Sequence, residues 1–332
     1  MSQYSFLSLK LRRNALLTLI ACALAFAVIL LGAYTRLTDA GLSCPDWPNC
    51  YGFATAPHTT AQLQAAAAAY PDKPVDIKKA WTEMTHRYFA GSEGILIIII
   101  AVSIIISRRR QAYKPLIIAA ALFALLATQV LLGMLTVTVN LKPAIVTAHL
   151  VTGISILSVL WWTYLDLPLK QTAPLRHNHA QLKPWLWLGL AVIAGQIFLG
   201  GWISTHYAGL VCIDLPYCNG KLIPALHLDQ FNTDLLTIHM MHRIGAAITA
   251  IYIGLLGLFL LNKPSLKNYA KALLCLLALQ ITLGIFNILW LRPVWLALTH
   301  HAVGVLLLLT MIATLVKAHY EARDKNYGPR IS

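Results

Sequence analysis

The stretch AGLSCPDWPNCYG, from Ala40 to Gly52, returns as AGLVCIDLPYCNG from Ala208 to Gly220. Both copies keep the frame Ala-Gly-Leu-x-Cys-x-Asp-x-Pro-x-Cys-x-Gly, and each follows an apolar run that contains Leu-Gly near its end. Chance does not explain agreement at so many positions, so the sequence predicts two duplicated halves. The copies lie four apolar runs apart, and because four is even, both halves keep the same orientation across a membrane.

The composition indicates that the protein lies in a bilayer. Of the 332 residues, 58% are hydrophobic and 11% are charged, which is too apolar for a soluble globule of this size. A helix needs roughly 20 apolar residues to cross a hydrocarbon core of about 30 Å. The predicted fold is an all-α integral membrane protein with eight transmembrane helices, arranged as two pseudo-symmetric four-helix bundles in parallel orientation, residues 1–170 and 171–332. The runs that predict the helices are 14–34, 82–106, 115–137, 144–166, 185–203, 235–261, 271–291 and 295–316.

The basic residues follow the membrane rather than a nucleic acid. The net charge is +14, but the lysines and arginines are not gathered in one patch, and most fall on one side of the eight-pass topology. Under the positive-inside rule that side is cytoplasmic. Both termini are therefore predicted inside a bacterial-type inner (plasma) membrane, with the candidate sites toward its outer face. The basic residues on the cytoplasmic side are Lys10, Arg12, Arg13, Arg108, Arg109, Arg110, Lys114, Lys170, Arg176, Lys183, Lys263, Lys267, Lys271, Lys317, Arg323, Lys325 and Arg330.

Four of the six cysteines fall in predicted outer loops, where an oxidising compartment permits disulfides. Cys44 and Cys50 lie in the first outer loop, and Cys212 and Cys218 lie in the third. The members of each pair are close enough in sequence to close a small ring. Such a ring serves either as a structural staple or as a redox-active pair. The other two cysteines lie within apolar runs and are predicted to be small buried residues: Cys22 and Cys275.

A histidine recurs on each even-numbered span, near its outer end. Ionisable side chains inside a membrane are costly, and four in equivalent positions indicate a function that a single one would not. A small residue follows each histidine after four positions, which leaves room beside the ring for a flat ligand or a close helix. The pairs are His86 with Ala90, His149 with Gly153, His242 with Ala246 and His300 with Gly304.

The odd-numbered spans carry a second repeat, Gln-x-x-x-Gly, at residues 129–133, 196–200 and 280–284. The first span has Val28 and Gly32 at these positions. The offset between this repeat and the histidines favours His300 over its neighbour His301 as the fourth member of the set.

Heme fits these histidines better than zinc does. Structural zinc gathers four close Cys and His ligands, and the four histidines share no local motif, although His239 and His242 are only three residues apart. Bis-imidazole ligation of heme iron needs one histidine from each of two helices and a flat apolar slot. The sequence therefore predicts a heme between paired histidines.

Three arginines near the histidines have two readings. Arg36, Arg87 and Arg243 can pair with heme propionates through the planar guanidinium group. They can equally extend to the lipid headgroups.

Acidic residues distinguish the two halves. Glu83 lies three residues before His86, whereas His239 takes the matching position in the second half. Glu83 either acts in chemistry, by proton transfer or stabilisation of positive charge, or caps the start of its helix. Glu93 lies deeper in the same span and is interpreted as a buried hydrogen-bonding partner with no assigned role.

These features together resemble the heme A synthase family. They are the two fused four-helix halves, the histidine on each even span, Glu-x-x-His-Arg in the second span, His-Arg in the sixth, and a cysteine pair in each of two outer loops. The resemblance covers roughly residues 14–318. It implies conversion of the C8 methyl group of heme O to the formyl group of heme A, for insertion into terminal oxidases. Implied partners are heme O synthase and terminal oxidase assembly factors, while the electron acceptor and a homo-oligomeric state are left open.

The resemblance also implies roles for particular residues. The pair in the second half matches ligands of the cofactor heme b, and the pair in the first half matches ligands of the substrate heme. Glu83 matches an acid essential for oxidation. The residues concerned are His242 and His300 for heme b, His86 and His149 for the substrate, and Cys44 with Cys50 and Cys212 with Cys218 for disulfides.

Two other functions compete with this one. A quinone-linked thiol oxidase would use the outer cysteines, but its reactive pair is commonly Cys-x-x-Cys, which is absent here. A b-type cytochrome or heme carrier would bind heme without catalysis and would not need Glu83. A transporter is disfavoured because the spans are evenly spaced and show no broken half-helices.

Overall fold

A computed structural model of the protein describes residues 3–107, 114–169 and 180–323. Within these ranges the chain forms nine α-helices joined by short turns and two larger loops. Several basic residues of the predicted cytoplasmic side lie outside the described residues, as does most of the predicted joint between the halves. These basic residues are Arg108, Arg109, Arg110, Lys170, Arg176, Lys325 and Arg330.

Eight of the nine helices are long and apolar enough to cross a membrane, which confirms the predicted eight spans. The exception is the short α2, which lies in the first large loop. The helices are α1 Gln3–Leu37, α2 Thr60–Ala69, α3 Ile77–Ser107, α4 Lys114–Thr138, α5 Pro143–Leu169, α6 Lys183–Thr205, α7 Leu235–Leu261, α8 Lys267–Leu289 and α9 Val294–Arg323.

The contacts divide the chain into two compact units, residues 1–160 and 161–332. In the first unit α3 packs against α1 and α4, and in the second α6 and α8 each pack against both α7 and α9. The division falls inside α5, between Leu160 and Trp161. Helix packing sets this boundary, because the last turns of α5 pack with the second unit: Trp161 Nε1 donates a hydrogen bond to the Leu309 carbonyl at 2.9 Å.

The turn between α4 and α5 has the same local form as the turn between α8 and α9. In the first, Asn140 and Leu141 have positive φ angles of 54° and 51°, and in the second Leu291 and Arg292 have 53° and 58°. This left-handed pair closes the helix end, because the Leu141 amide donates to the Thr136 carbonyl at 2.8 Å. The internal sequence repeat is thus accompanied by a repeat of backbone conformation.

Residues 53–80, which have no counterpart of that length in the second half, fold onto the first cysteine loop. Thr59 and Gln62 form a capping box that starts α2. The Tyr51 and Tyr70 rings meet edge to face with centroids 5.4 Å apart, and Ala66 of α2 is fully buried in the same cluster. These residues therefore cover the loop that precedes the second span.

The two cysteines outside the loops differ in their surroundings. Cys22 on α1 is buried as predicted, but Cys275 on α8 is exposed. The prediction for Cys275 was wrong because an apolar run does not reveal which helix face packs inward.

Candidate functional site

Two disulfide loops of the same conformation lie next to the histidine-bearing helices. Cys44 is bonded to Cys50 and Cys212 to Cys218, as predicted. In the first loop Asp46 accepts hydrogen bonds from the amides of Tyr51 at 2.6 Å and Gly52 at 2.8 Å.

The second loop repeats this arrangement. Asp214 accepts hydrogen bonds from the amides of Asn219 at 3.1 Å and Gly220 at 3.0 Å. These amide donors, that of Gly220 first, hold the pKa of Asp214 below its ordinary value. Gly52 and Gly220 have φ angles of 81° and 75°, which favour glycine. The Asp and Gly positions of the repeated frame thus hold the turn that closes each disulfide ring.

An arginine of the helix that follows each loop anchors that loop. Arg87 Nη1 donates to the carbonyls of Asp46, Pro48 and Asn49 at 3.0, 3.1 and 2.6 Å. In the second half Arg243 donates to three carbonyls at 2.8–3.1 Å. These are Cys212, Asp214 and Tyr217. A guanidinium group has five N–H donors in a rigid fork, so one side chain can hold several turns of a loop.

The residue one turn before each of these arginines links helix and loop in a different way. Glu83 accepts a hydrogen bond from the Cys44 amide at 2.9 Å and pairs with Arg87 at 2.5 Å. In the second half His239 shares a hydrogen bond of 2.7 Å with the Ala208 carbonyl and accepts one of 3.0 Å from Arg243. Both ring nitrogens of His239 are therefore engaged, which argues against a zinc site at His239 and His242. The first half has a buried carboxylate where the second has a neutral hydrogen-bonding ring.

Each of the four predicted histidines lies against a glycine of the preceding span. A Cβ added to Gly32 would lie 3.0 Å from His86 Cε1, and one added to Gly133 would lie 3.2 Å from His149 Cε1. The corresponding distances are 3.4 Å from Gly200 to His242 and 3.2 Å from Gly284 to His300. At 3.0 to 3.2 Å a larger residue would force the ring to shift, so glycine favours this close approach of ring and neighbouring helix. The four histidines thus share one packing arrangement.

The glutamines of the Gln-x-x-x-Gly repeat contact the same histidines. The side-chain amide nitrogen of Gln196 lies 3.1 Å from His242 Nδ1, and that of Gln280 lies 3.3 Å from His300 Nε2. Gln129 approaches His149 Nε2 at 3.5 Å. The first span has Val28 at this position, so no side-chain amide of α1 reaches His86 from there. Sequence reasoning noted these glutamines without giving them a role, although their constant offset from the histidines was visible.

Two of the small residues after the histidines lie against the neighbouring helix, which agrees with the close-helix alternative of the prediction. A Cβ on Gly153 would meet the Gln129 amide at 3.1 Å, and one on Gly304 would meet the Gln280 amide at 3.2 Å. In the second half Gly245, rather than Ala246, faces Gln196. The space beside these residues admits the glutamine of the neighbouring helix.

The histidines are brought together in pairs within each unit. His86 lies near enough to His149 for their charges to interact, and the same holds for His242 and His300. Among the described residues, the Nδ1 atoms of His86, His149 and His300 are buried without a hydrogen-bond partner. A buried nitrogen without a partner is costly unless another group uses it. Paired imidazoles with uncommitted nitrogens in apolar surroundings fit a heme iron.

Two neighbouring residues complete the set predicted from sequence. His301 is adjacent to His300, and its Nε2 is also buried without a partner among the described residues, but His300 is the residue that contacts Gly284 and Gln280. Arg36 forms an ion pair with Asp39 at 3.1 Å, just after α1.

Comparison with known proteins identifies the family. The family described as COX15-CtaA, cytochrome oxidase assembly protein, matches residues 15–312. A protein of Shewanella oneidensis named heme A synthase is 39% identical over 86% of this chain and 90% of its own length. Proteins of the same name from Paramagnetospirillum magneticum and Granulibacter bethesdensis are each 29% identical, over 90% and 89% of this chain and 92% and 84% of their own lengths. The chain is an integral, multi-pass membrane protein, and it belongs to the COX15-CtaA family of cytochrome oxidase assembly proteins.

Proposed function

We propose that this protein is a heme A synthase, a membrane-bound oxidoreductase that converts the C8 methyl group of heme O to the formyl group of heme A. The family membership and the name shared by its relatives support this function. The observation that carries it within the molecule is the buried acid, Glu83, beside the histidine pair of one unit and its absence from the other.

The two histidine pairs bind different hemes. His86 and His149 hold the substrate heme O, and His242 and His300 hold a heme b cofactor. The packing against glycine is common to all four histidines, which supports one mode of ligation in both halves. The hemes supply the redox chemistry, while the protein supplies ligation, orientation and electrostatics.

Glu83 acts in the first half through its carboxylate. Its two oxygens contact the Cys44 amide and the Arg87 guanidinium, so the side chain is held in one position one helical turn from His86. A fixed carboxylate can accept a proton from the reacting carbon or stabilise positive charge near it. In the second half both nitrogens of His239 are engaged in hydrogen bonds, which suits a site that only binds its heme.

The arginines remain candidates for binding heme propionates. Arg87 donates to loop carbonyls through Nη1 and to Glu83 through Nη2, so a propionate would approach its Nε edge. Arg243 engages Nε, Nη1 and Nη2, so it would have to release a loop carbonyl to bind a propionate. Arg36, paired with Asp39, is a third candidate. In this proposal the arginines connect each heme edge to its disulfide loop.

The membrane location of the sites suits the proposed substrate. Heme O carries a farnesyl tail, so both substrate and product partition into lipid and can enter between helices. The histidine sites face the outer side of a bacterial inner membrane, with both termini in the cytoplasm. Heme O synthase and terminal oxidase assembly factors are the expected partners.

The decisive test is to identify the heme that the protein produces. The protein is purified from cells that also make heme O, and the extracted pigments are analysed by mass spectrometry. Heme A is expected with the wild-type protein and not with Glu83→Gln, although both retain heme. Intact heme b without heme A in the wild-type protein would favour the b-type cytochrome or heme carrier.

A further inference from the structure

A second buried acid lies deeper in the first unit. Glu93 follows His86 by seven residues on α3, which places it about 10 Å further into the membrane at a helical rise of about 1.5 Å per residue. Its exposed fraction is only 9%, and among the described residues no hydrogen bond or ion pair engages its carboxyl group. An acid in the membrane interior is costly and is by default functional.

A line of polar residues on α1 leads from this acid toward the end of the unit opposite the disulfide loop. Asn14, Thr18 and Cys22 are four residues apart and therefore share one face of α1. Ser103 of α3 donates a hydrogen bond to Asn14 Oδ1 at 3.0 Å. Thr18 and Cys22 are 1% and 5% exposed.

Three cross-contacts show that this face of α1 follows α3 along its length. Gly32 lies against His86 near the disulfide loop, Cys22 lies near enough to Glu93 to interact with its charge, and Asn14 meets Ser103 at the other end. The interval between Glu93 and His86 is lined by small residues, Ala25 of α1 and Ala90 of α3. A connection between Glu93 and the site has to be made by water between these small side chains, because these faces of α1 and α3 carry no other polar side chain among the described residues of the interval.

The second half provides an internal comparison. The repeat aligns Gly32 with Gly200 and His86 with His242. At the positions equivalent to the polar residues of α1 and α3, the second half has apolar side chains and one threonine, with no ionisable group. They are Leu182, Leu186 and Leu190 for Asn14, Thr18 and Cys22, Phe259 for Ser103, and Thr249 for Glu93. The Thr249 hydroxyl donates to the Gly245 carbonyl of its own helix, as the Thr18 hydroxyl does to the Asn14 carbonyl, so the difference between the halves lies in the carboxyl group, the amide and the serine. The polar line is thus confined to the half that carries Glu83.

We propose that Asn14, Thr18, Glu93 and Ser103, here called the Glu93 path, carry protons between the His86–His149 site and the opposite end of the first unit. The inference rests on the proposed function, because oxidation of a methyl group to a formyl group releases protons into an apolar interior. The Glu93 carboxylate accepts a proton from water near the site and, as a carboxylic acid, passes it to water held by Thr18 and Asn14. Glu93 is therefore a relay residue that does not touch the substrate.

The surroundings of Glu93 contain few other titratable groups that could take its place. On α1 the titratable neighbour is Cys22. On α3 the nearest titratable residue above Glu93 on the same face is His86, since Arg87 and Tyr88 lie on other faces. On α4, which packs on α3, the side chain at this level is Leu126, beside Gly94. A proton crossing this region through the described residues therefore depends on the carboxyl group.

Three substitutions in the full-length, heme-loaded protein test the path. Glu93→Gln keeps the shape and hydrogen bonding of the side chain but cannot carry a proton, whereas Glu93→Asp can. Thr249→Val is the matched control in the second half. The rate of heme A formation is measured across pH, together with heme content and the infrared carbonyl band of a protonated carboxylic acid in the purified protein.

The expected result is at least a tenfold lower rate in Glu93→Gln with unchanged heme content, partial recovery in Glu93→Asp, and wild-type behaviour in Thr249→Val. The infrared band should titrate in the wild-type protein and disappear in Glu93→Gln. A Glu93→Gln variant with the wild-type rate and pH profile would overturn the path, as would equal loss in the Gln and Asp variants. If the wild-type protein itself makes no heme A, the proposed function fails instead.

Discussion

Glu83 accepts a hydrogen bond from the backbone amide of Cys44 at 2.9 Å, so the buried acid of α3 is joined directly to the first disulfide ring. Arg87 pairs with the other carboxylate oxygen and with three loop carbonyls. Acid, arginine and loop therefore form one connected unit above His86. A substitution that moves the loop should therefore also move the Glu83 carboxylate, and a substitution of Glu83 should also move the loop.

Replacing Glu83 with Gln should separate heme binding from catalysis. The Gln carbonyl can still accept from the Cys44 amide, but the variant loses the negative charge that pairs with Arg87. Heme content should stay near the wild-type level while heme A formation falls by at least about 100-fold, in the range typical of a lost general acid or base. Pigment extraction followed by mass spectrometry measures both. Normal heme A production by this variant would exclude a catalytic role for Glu83.

Gly284→Ala should displace the His300 ring. The new Cβ would lie 3.2 Å from His300 Cε1, closer than ordinary contacts allow, and overpacking of this kind costs about 1–3 kcal/mol. We expect reduced heme content in the purified variant, read from its absorption spectrum. Gly195→Ala is the control, because nothing lies within 4 Å of its added Cβ. Equal heme content in both variants would contradict close packing of His300 on α8.

Gln280→Leu should lower the affinity for heme by removing the side-chain amide that contacts His300, while keeping a side chain of similar size. The Gln280 amide contacts His300 Nε2 at 3.3 Å, and loss of a residue that orients a metal-binding histidine typically costs about 10- to 100-fold in affinity. The measurement is heme retention during competition with apomyoglobin. Thr282→Leu, at an exposed position two residues further along the same helix, should leave retention unchanged. The account would need revision if the two variants retained heme equally well.

Arg243→Lys should loosen the second disulfide loop. Lysine cannot reproduce the donor fork that holds the carbonyls of Cys212, Asp214 and Tyr217. We expect the Cys212–Cys218 disulfide to be reduced several times faster by an added phosphine, as measured by thiol alkylation and mass spectrometry. The Cys44–Cys50 disulfide of the same molecule, still held by Arg87, serves as the control. Unchanged reduction of Cys212–Cys218 would show that Arg243 does not protect the loop.

Asp234 should contribute a pH-dependent part of the stability. It caps α7, and hydrogen bonds, that of the Thr237 hydroxyl first, lower its pKa from the ordinary 3.8. Because the folded pKa is depressed, the contribution is present above pH 3.8 and is lost as the pH falls through the lower folded value. The Tm of Asp234→Asn should therefore lie below that of the wild-type protein at neutral pH, and the gap should close in acid. A gap that persists at the lowest pH would point to a cause other than ionisation.

The spans, the histidine positions and the cysteine pairs were predictable because each depends on a pattern along the chain. Apolar run length predicts a crossing, and the position of His86 or His300 within its run predicts its depth. The separation of Cys44 from Cys50 allows ring closure. None of these inferences requires knowledge of how a helix is rotated about its own axis.

The features that the sequence did not predict depend on that rotation. The direction of Arg87, toward the loop carbonyls, is determined by the turn that Asp46 holds. Gln129 reaches His149 because Gly153 leaves space for it on the facing helix. Cys275 is exposed because α8 presents its other faces to α7 and α9. Such contacts form between helices that are far apart in sequence, so the only sign of them along the chain is the constant offset of residues such as the glutamines.

The absorption spectrum of the purified protein tests the central claim most directly. We predict a Soret band that is strongly reduced in the double variant His242→Ala and His300→Ala, and that persists when His301 alone is replaced with alanine. A wild-type protein without a Soret band, or a spectrum unchanged by loss of both His242 and His300, would contradict ligation of heme iron by this histidine pair.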